Sequence, residues 1–290
     1  MESLACLDGQ LMPASEARVP IWDRGFLFGD AVYEVFRLYG GRCWLEHEHL
    51  ARLRRSLAEM RIVGLDLDGL AGRIRRTVAA SGLNEATVYV QITRGVAPRR
   101  HVFPDPPVRP TEVIVVRAYD DAPTARSRES GVAAISHPDL RWKRCDVKST
   151  NLLANVLAAE AAHRAGCHEA ILVDADGQVS EATHSSVLWV RSGRLEATPE
   201  GPGILPGTTR QSLLRIVAEA GLTFAEAPII LAELLRADEV LFVGTTIEVL
   251  PVVRVDDAPI ADGRPGPAAR RLQAAYRRTI ERWLAEGPTD

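Results

Sequence analysis

The chain has 290 residues, 46% apolar and 25% charged, which suits one large domain or two of ordinary size and is too apolar for wholesale disorder. Its 35 basic and 38 acidic residues give a formal net charge of -3, against the basic excess of a general nucleic-acid binder. No apolar run reaches the roughly 18 residues of a membrane helix, MESLACLDGQLMPASEARVP lacks the basic start and long apolar core of a signal peptide, and four scattered cysteines without CxxC spacing read as the reduced thiols of a cytoplasmic protein.

Ser3 to Ala14 alternates weakly around Asp8-Gly9, which predicts a hairpin turning there. A loop with WDRGFLFGD leads into Ala31 to Tyr39, rich in Val, Tyr and Phe and read as a strand, with Gly40-Gly41 as a turn and Arg42 to Leu45 returning. Leu50, Leu53, Leu57 and Met60 then recur at helical spacing, predicting a helix over Glu46 to Met60. A second helix covers Leu67 to Ser81 and stops at Gly82. Strands follow at Thr87 to Thr93 and Glu112 to Ala118.

The polar, aperiodic stretch YDDAPTARSR is read as the boundary between domains. Beyond it, Gly131 to His137 is a strand and Ser149 to Arg164 a long helix stopped near Gly166. Strands are expected at Glu169 to Val173, Ser186 to Val190 and Glu239 to Val243. Helices are expected from Gly207 to Glu219, Ile230 to Leu235 and Pro267 to Leu284. Mixed elements without strict βαβ alternation suggest α+β in both halves. The division is a smaller N-terminal α/β domain over 1–119, a linker over 120–124 and a larger C-terminal domain over 125–290.

Only two of the basic residues are lysines, Lys143 and Lys148, and 33 are arginines. GC-rich codons account for the imbalance, but lysine chemistry is thereby left with two candidates. Lys143 sits among charges in DLRWKRCD and reads as solvated. Lys148 lies where a strand passes into a long helix, followed by small polar residues. Partial desolvation there would lower its pKa and make its amine nucleophilic. A plain exposed lysine is the competing reading.

Five blocks, in order, resemble the class IV aminotransferases, the fold-type IV enzymes that use pyridoxal 5′-phosphate. They are WDRGFLFGDAVYEVFRLYGG, EHEHLARLRRSLAEMRI, the run from Lys148 to His163, CHEAILVDADGQVSEATHSSV and GILPGTTRQSLLRIV. The resemblance spans about residue 20 to about residue 255. It implies a two-domain fold with the cofactor at the domain interface, and a C-terminal domain that carries the cofactor lysine. Position by position, it assigns Lys148 to the cofactor aldehyde and Glu181 to the ring nitrogen, where a carboxylate favours the protonated form. It assigns Arg52 to the phosphate, and Thr208, Thr209, Gly244 and Thr245 to the same anion through hydroxyls and helix-terminal amides. Leu205 would pack against the ring. Taken alone, Arg52 is one of three arginines on a helix face, Glu181 a surface acid, Leu205 a core leucine and the threonines caps or turns.

The block TRGVAPRRHVFP contains Arg99-Arg100-His101, which resembles the R-x-H carboxylate trap of the D-amino acid aminotransferases. The resemblance implies that Arg99 and His101 join Tyr33 in holding the substrate carboxylate. It also implies that these two come from a neighbouring subunit, hence an obligate homodimer. An exposed basic loop is the plain reading of the same residues. Arg100 departs from the pattern, where an uncharged residue is usual, and would alter pocket entry or side-chain preference. Arg37 stands where the branched-chain aminotransferases of the family carry an arginine. Alternation puts it on the Tyr33 face of its strand. It is either a second anchor for an anionic side chain, favouring D-glutamate or D-aspartate, or a solvated residue at the strand end.

The implied activity is a ping-pong transfer of the amino group of a D-amino acid to a 2-oxo acid. The alternatives are a branched-chain L-amino acid aminotransferase, an R-selective amine transaminase and an aminodeoxychorismate lyase. No metal, nucleic-acid or membrane partner is expected, since the remaining histidines form no HxxxH or H-x-E grouping with nearby carboxylates.

Overall fold

A computed structural model describes residues 3–287. The chain divides into two compact units. One runs to Asp120 and includes Val147–Asn151; the other holds Asp121–Asp146 and the chain from Leu152 on.

The first unit is built on a six-stranded antiparallel sheet. Its strands are β1 (Leu4–Leu7), β2 (Gln10–Pro13), β3 (Ala31–Tyr39), β4 (Arg42–Cys43), β5 (Ala86–Thr93) and β6 (Glu112–Ala118), in the order β2-β1-β6-β5-β3-β4. The expected hairpin is β1 and β2, with Asp8 and Gly9 at positive φ in the turn. A short helix, α1 (Arg24–Phe28), precedes β3; Asp23 caps it by accepting from the Gly25 amide, and Gly29 ends it in the left-handed region. Helices α2 (Glu46–Glu59) and α3 (Leu67–Ser81) cover one face of the sheet. Their Leu53, Leu57, Leu70, Ile74 and Val78 meet Val32, Phe36, Leu38, Val88, Val90 and Ile92 from the strands. Alternation along β3 thus turns residues 32, 34, 36 and 38 toward the helices and Tyr33 and Val35 to the other face.

In the second unit, strands β7 (Val132–Pro138), β8 (Glu169–Val173), β9 (Val179–Ala182), β10 (Ser186–Arg191), β11 (Arg194–Ala197), β12 (Thr223–Glu226), β13 (Glu239–Gly244) and β14 (Glu248–Val255) form a mixed sheet. Their order is β12-β11-β10-β13-β14-β7-β8-β9, and β15 (Ala258–Pro259) pairs with β14. Helix α5 (Leu153–Arg164) rests on β8 through Ala158, Ala162, Ala170 and Leu172. Helix α6 (Thr208–Ile216) continues as a 3-10 turn over Val217–Ala220, α7 (Leu231–Leu234) is a single turn, and α8 (Pro267–Ala285) lies against β14.

Three expectations need correction. The stretch read as a boundary is where the two units divide, after Asp120, but it is not irregular throughout: from Ala122 it forms α4 (Ala122–Ser130), with Pro123 in the first turn where a missing amide costs nothing. The helix expected from Ser149 starts at Leu153. Residues 148–150 stay out of the helix because β3 claims their backbone, with Ser149 bridging Val32: the Tyr33 amide donates to the Lys148 carbonyl at 2.9 Å and the Thr150 amide to the Ala31 carbonyl at 3.1 Å. For the same reason Lys148, expected in the C-terminal domain, belongs with the first unit.

Candidate active site

Lys148 is half-buried, whereas Lys143 is exposed. Its backbone is pinned on both sides, the carbonyl by Tyr33 and the amide by the buried Ser56 hydroxyl at 3.2 Å. The side-chain amine lies 4.4 Å from the centroid of the Tyr33 ring, a cation–π distance. The Tyr33 ring stacks in turn on Tyr89 from the neighbouring strand, centroids 5.7 Å apart. Burial, with a smaller contribution from Tyr33, pushes the Tyr89 phenol up to about 12. Tyr89 therefore stays protonated and donates to Gln91 Oε1 at 2.6 Å.

Arg52 is buried, and α2 aims it inward at β3. Glu34, on the helix-facing side of the strand, accepts from Arg52 Nε at 2.7 Å and Nη2 at 2.8 Å. His49, one turn before Arg52 on α2, contacts the second Glu34 oxygen through Nδ1 at 2.7 Å. Burial raises the Glu34 carboxyl, but the Arg52 charge and hydrogen bonds outweigh it and hold the group well below the usual carboxylate range. Burial pushes His49 below its ordinary value against the pull of Glu34. A carboxylate only accepts, so Nδ1 carries the shared hydrogen.

The loop with Arg99, Arg100 and His101 is exposed but anchored. Arg24 is buried, is held by Asp30 at 2.8 Å and donates to the Arg100 carbonyl at 2.6 Å. Asp30 also receives two hydrogen bonds from Arg94, at 2.8 and 2.9 Å. Burial would raise the Asp30 carboxyl, but both arginines hold it below its ordinary value. The Arg99 guanidinium lies 5.2 Å from the Phe28 ring centroid and the His101 ring 5.4 Å. Phe28, the last residue of α1, thus gathers Arg99 and His101, while Tyr33 faces Lys148 and Tyr89.

Arg37 is neither solvated nor an open anchor. It is 1% exposed, ion-paired with Glu85 and bonded to the carbonyls of Leu38 and Ala86. Its guanidinium lies against Tyr39 and Tyr119, at 4.6 and 4.2 Å. Parity puts it on the Tyr33 face as expected, but at the far end of a nine-residue strand.

In the second unit, Glu181 is buried on β9 and accepts from Arg141 Nη1 at 2.7 Å. Arg141 is gripped from the other side by Asp139, at 3.0 and 2.8 Å, and bonds Ser180 Oγ and the Gly203 carbonyl. Burial would raise the Asp139 carboxyl; the Arg141 and Ser180 hydrogen bonds lower it below its ordinary value. The charged hydrogen bond from Arg141 fixes the Glu181 carboxylate in place.

A hydroxyl-rich corner lies in the same unit. Thr208 and Thr209, both 3% exposed, are the first residues of α6. Gly244 ends β13 and Thr245 follows it in a turn, and register places Ser186 of β10 opposite Val243. A Cβ on Gly207 would lie 2.9 Å from Ser186 Oγ, so glycine lets the start of α6 approach that hydroxyl. A Cβ on Gly244 would lie 3.6 Å from Ser185 Oγ. Ser185 is in turn fixed by Glu169, which accepts from its amide at 2.9 Å and its hydroxyl at 2.8 Å. Leu205 is half-buried just before α6. A helix N-terminus in a unit that also offers the Ser185, Ser186 and Thr245 hydroxyls suits an anion.

Among the described residues, His168, Glu169 and His184 are the cluster with ligand atoms close enough for a metal, within 4.8 Å of one another. Both Glu169 oxygens are already occupied by the amides of His184 and Ser185 and the Ser185 hydroxyl. Sequence reasoning singled out neither Glu34, His49 nor Arg141. The one available signal was Glu34 itself, a charge at a core-facing parity among Val32, Phe36 and Leu38.

Residues 31–255 match the family model described as amino-transferase class IV. A D-alanine aminotransferase of Bacillus licheniformis is 38% identical over 277 residues, covering 94% of this chain and 95% of that protein. One from Staphylococcus aureus (strain N315) is 38% identical over 279 residues, with 95% and 97% covered. Among solved structures, the branched-chain amino acid aminotransferase of Escherichia coli superposes with a TM-score of 0.88 at 25% identity, over 96% of this chain and 94% of that one. The T.th. branched-chain enzyme complexed with N-(5′-phosphopyridoxyl)-L-glutamate gives 0.86 at 26% identity, over 97% and 94%.

Proposed function

We propose, for a chain that belongs to the class IV aminotransferase family, that its reaction moves the amino group of a D-amino acid to a 2-oxo acid. The cofactor is pyridoxal 5′-phosphate, which when bound supplies the carbonyl that receives the amino group and a ring that spreads the charge developing at the substrate Cα. The observation that carries the reading is the Lys148 amine, half-buried and held 4.4 Å over the Tyr33 ring. An amine so placed would hold the cofactor through its aldehyde and would take the proton from the substrate Cα. The residues fit a phosphate-bearing group. In the first unit Arg52 offers a guanidinium fixed by Glu34; in the second, Thr208 and Thr209 open α6, Gly207 leaves that helix start uncrowded, and Gly244 and Thr245 supply a further backbone and hydroxyl donor set. Glu181, fixed by Arg141, would pair with the ring nitrogen, and Leu205 would pack against the ring.

Tyr33, Arg99 and His101 hold the substrate carboxylate, Arg99 and His101 acting from the partner subunit of a homodimer. Exposed Ile21, Phe26 and Val102 in the first unit, and Leu153, Val156 and Leu157 along one face of α5, support such an interface. Arg100 borders substrate entry. Four free cysteines favour a cytoplasmic setting. The D-alanine aminotransferase relatives, at 36–38% identity, favour D-amino acids over the branched-chain reading. So does Arg37, whose charge is taken by Glu85.

Two experiments test this. Lys148→Ala should lose both turnover and the visible absorption of a lysine-bound cofactor; a variant retaining both removes Lys148 from the chemistry. Initial rates with 2-oxoglutarate should favour D-alanine or D-glutamate over L-leucine, and the reverse order selects the branched-chain reading.

A further inference from the structure

The structure assigns Glu34 and His49 the task of positioning Arg52 for the cofactor phosphate, an inference that rests on the reading of Arg52 as the phosphate arginine. Glu34 occupies a site where the strand otherwise supplies Val32, Phe36 and Leu38 to the core. It is 0% exposed. A carboxylate buried there is costly without full pairing, and a leucine would satisfy the packing better. The pairing it finds is specific. One oxygen takes Arg52 Nε at 2.7 Å; the other takes Arg52 Nη2 at 2.8 Å and His49 Nδ1 at 2.7 Å. Two parallel N–H···O bonds fix the plane of a guanidinium as well as its place. A guanidinium carries five donors, and the Glu34 carboxylate engages two of its nitrogens, which sets its orientation.

His49 completes the clamp. It sits three residues before Arg52 on α2, so both reach the same strand position. Its ring is also in contact range of Phe36, with centroids 4.8 Å apart, which limits rotation. With Nδ1 committed to Glu34, the imidazole holds the same oxygen that Arg52 Nη2 takes, 3.5 Å from that nitrogen, and keeps the carboxylate turned toward the arginine. Neither residue needs to touch substrate or cofactor; each acts through Arg52.

The test compares binding of pyridoxal 5′-phosphate and of pyridoxal, which lacks the phosphate, to the full-length protein stripped of cofactor. The variants are Glu34→Gln, His49→Leu, His49→Asn and Arg52→Gln. Glu34→Gln and His49→Leu should weaken the phosphorylated ligand by about tenfold or more, the effect of losing a charged hydrogen bond, and leave pyridoxal unchanged. His49→Asn, which keeps a donor near Nδ1, should restore most of the preference. Should Glu34→Gln fail to fold, the two His49 variants still decide. If Arg52→Gln loses the preference for phosphate while Glu34→Gln and His49→Leu keep it, the positioning role is overturned and the Arg52 reading stands. Equal weakening of both ligands assigns a purely structural role and also overturns it. If Arg52→Gln itself keeps the preference, the Arg52 reading falls and this inference with it.

Discussion

Arg37 and Arg52 are both buried arginines bonded to glutamates, yet their partners give them different consequences. Glu85, the partner of Arg37, is half-exposed on its side chain, whereas Glu34 is fully enclosed. Arg37→Met should therefore cost stability, about 1–3 kcal/mol for the lost charged hydrogen bonds, and leave the KM for D-glutamate within twofold of the wild type. A large rise in that KM, with the melting temperature unchanged, would restore Arg37 as a substrate anchor. Arg99→Ala should behave in the opposite way, raising the KM for D-alanine by about tenfold or more while leaving thermal stability unchanged, because its side chain is exposed. Lys148 was legible in the sequence because lysine is so rare here. Arg141 and Glu34 were not. A charged residue reads the same whether solvated or paired in a core, and Arg141 finds Glu181 forty residues away.

At the level of elements, long periodic segments read well and short or proline-bearing ones did not. Helices α2 and α3 follow from leucine spacing and from Gly82, which adopts φ 66 at the C-cap. Strand β14 was missed because Pro251 breaks its pattern. The pairing of β14 with β7 begins at Val252, so the missing proline amide falls outside that ladder. The start of α8 was predicted from Pro267, but its real anchor was not. Glu239 on β13 accepts from the Ala268 and Ala269 amides at 2.7 and 2.8 Å. A Cβ on Gly266 would lie 2.3 Å from the Glu239 carboxyl carbon. Gly266→Ala should push that carboxylate off the helix and lower the urea midpoint, corresponding to about 1–3 kcal/mol. An unchanged midpoint would mean that α8 does not depend on this cap.

For the molecule as a whole, buried carboxylates dictate the response to acid. Glu34, Asp30 and Asp139 all have carboxyl pKa values lowered by folding, so each contributes stability that is complete above its unfolded value, about 4.3 for Glu and 3.9 for Asp. That contribution is lost as pH falls below those values. His49, also lowered, begins to lose its share below its unfolded value of about 6.5. Urea midpoints should thus decline gently below about pH 6.5 and steeply below about pH 4.3; a rise between pH 6 and 4 would contradict the assigned pairings. The family, its α+β character and the lysine were legible in five ordered blocks of sequence. Where the chain returns Lys148 to β3 was not, because backbone bonds between residues 31–33 and 148–150 leave no trace in residue type.

The central claim is that Lys148 and its surroundings process D-amino acids. The most direct test is the spectrum of the purified protein loaded with pyridoxal 5′-phosphate, recorded before and after one portion of D-alanine and, separately, one of L-alanine. D-alanine should bleach the band of the lysine-bound cofactor within the mixing time and release pyruvate in equal amount, while L-alanine leaves it unchanged. Bleaching by L-alanine and persistence of the band with D-alanine would contradict the account.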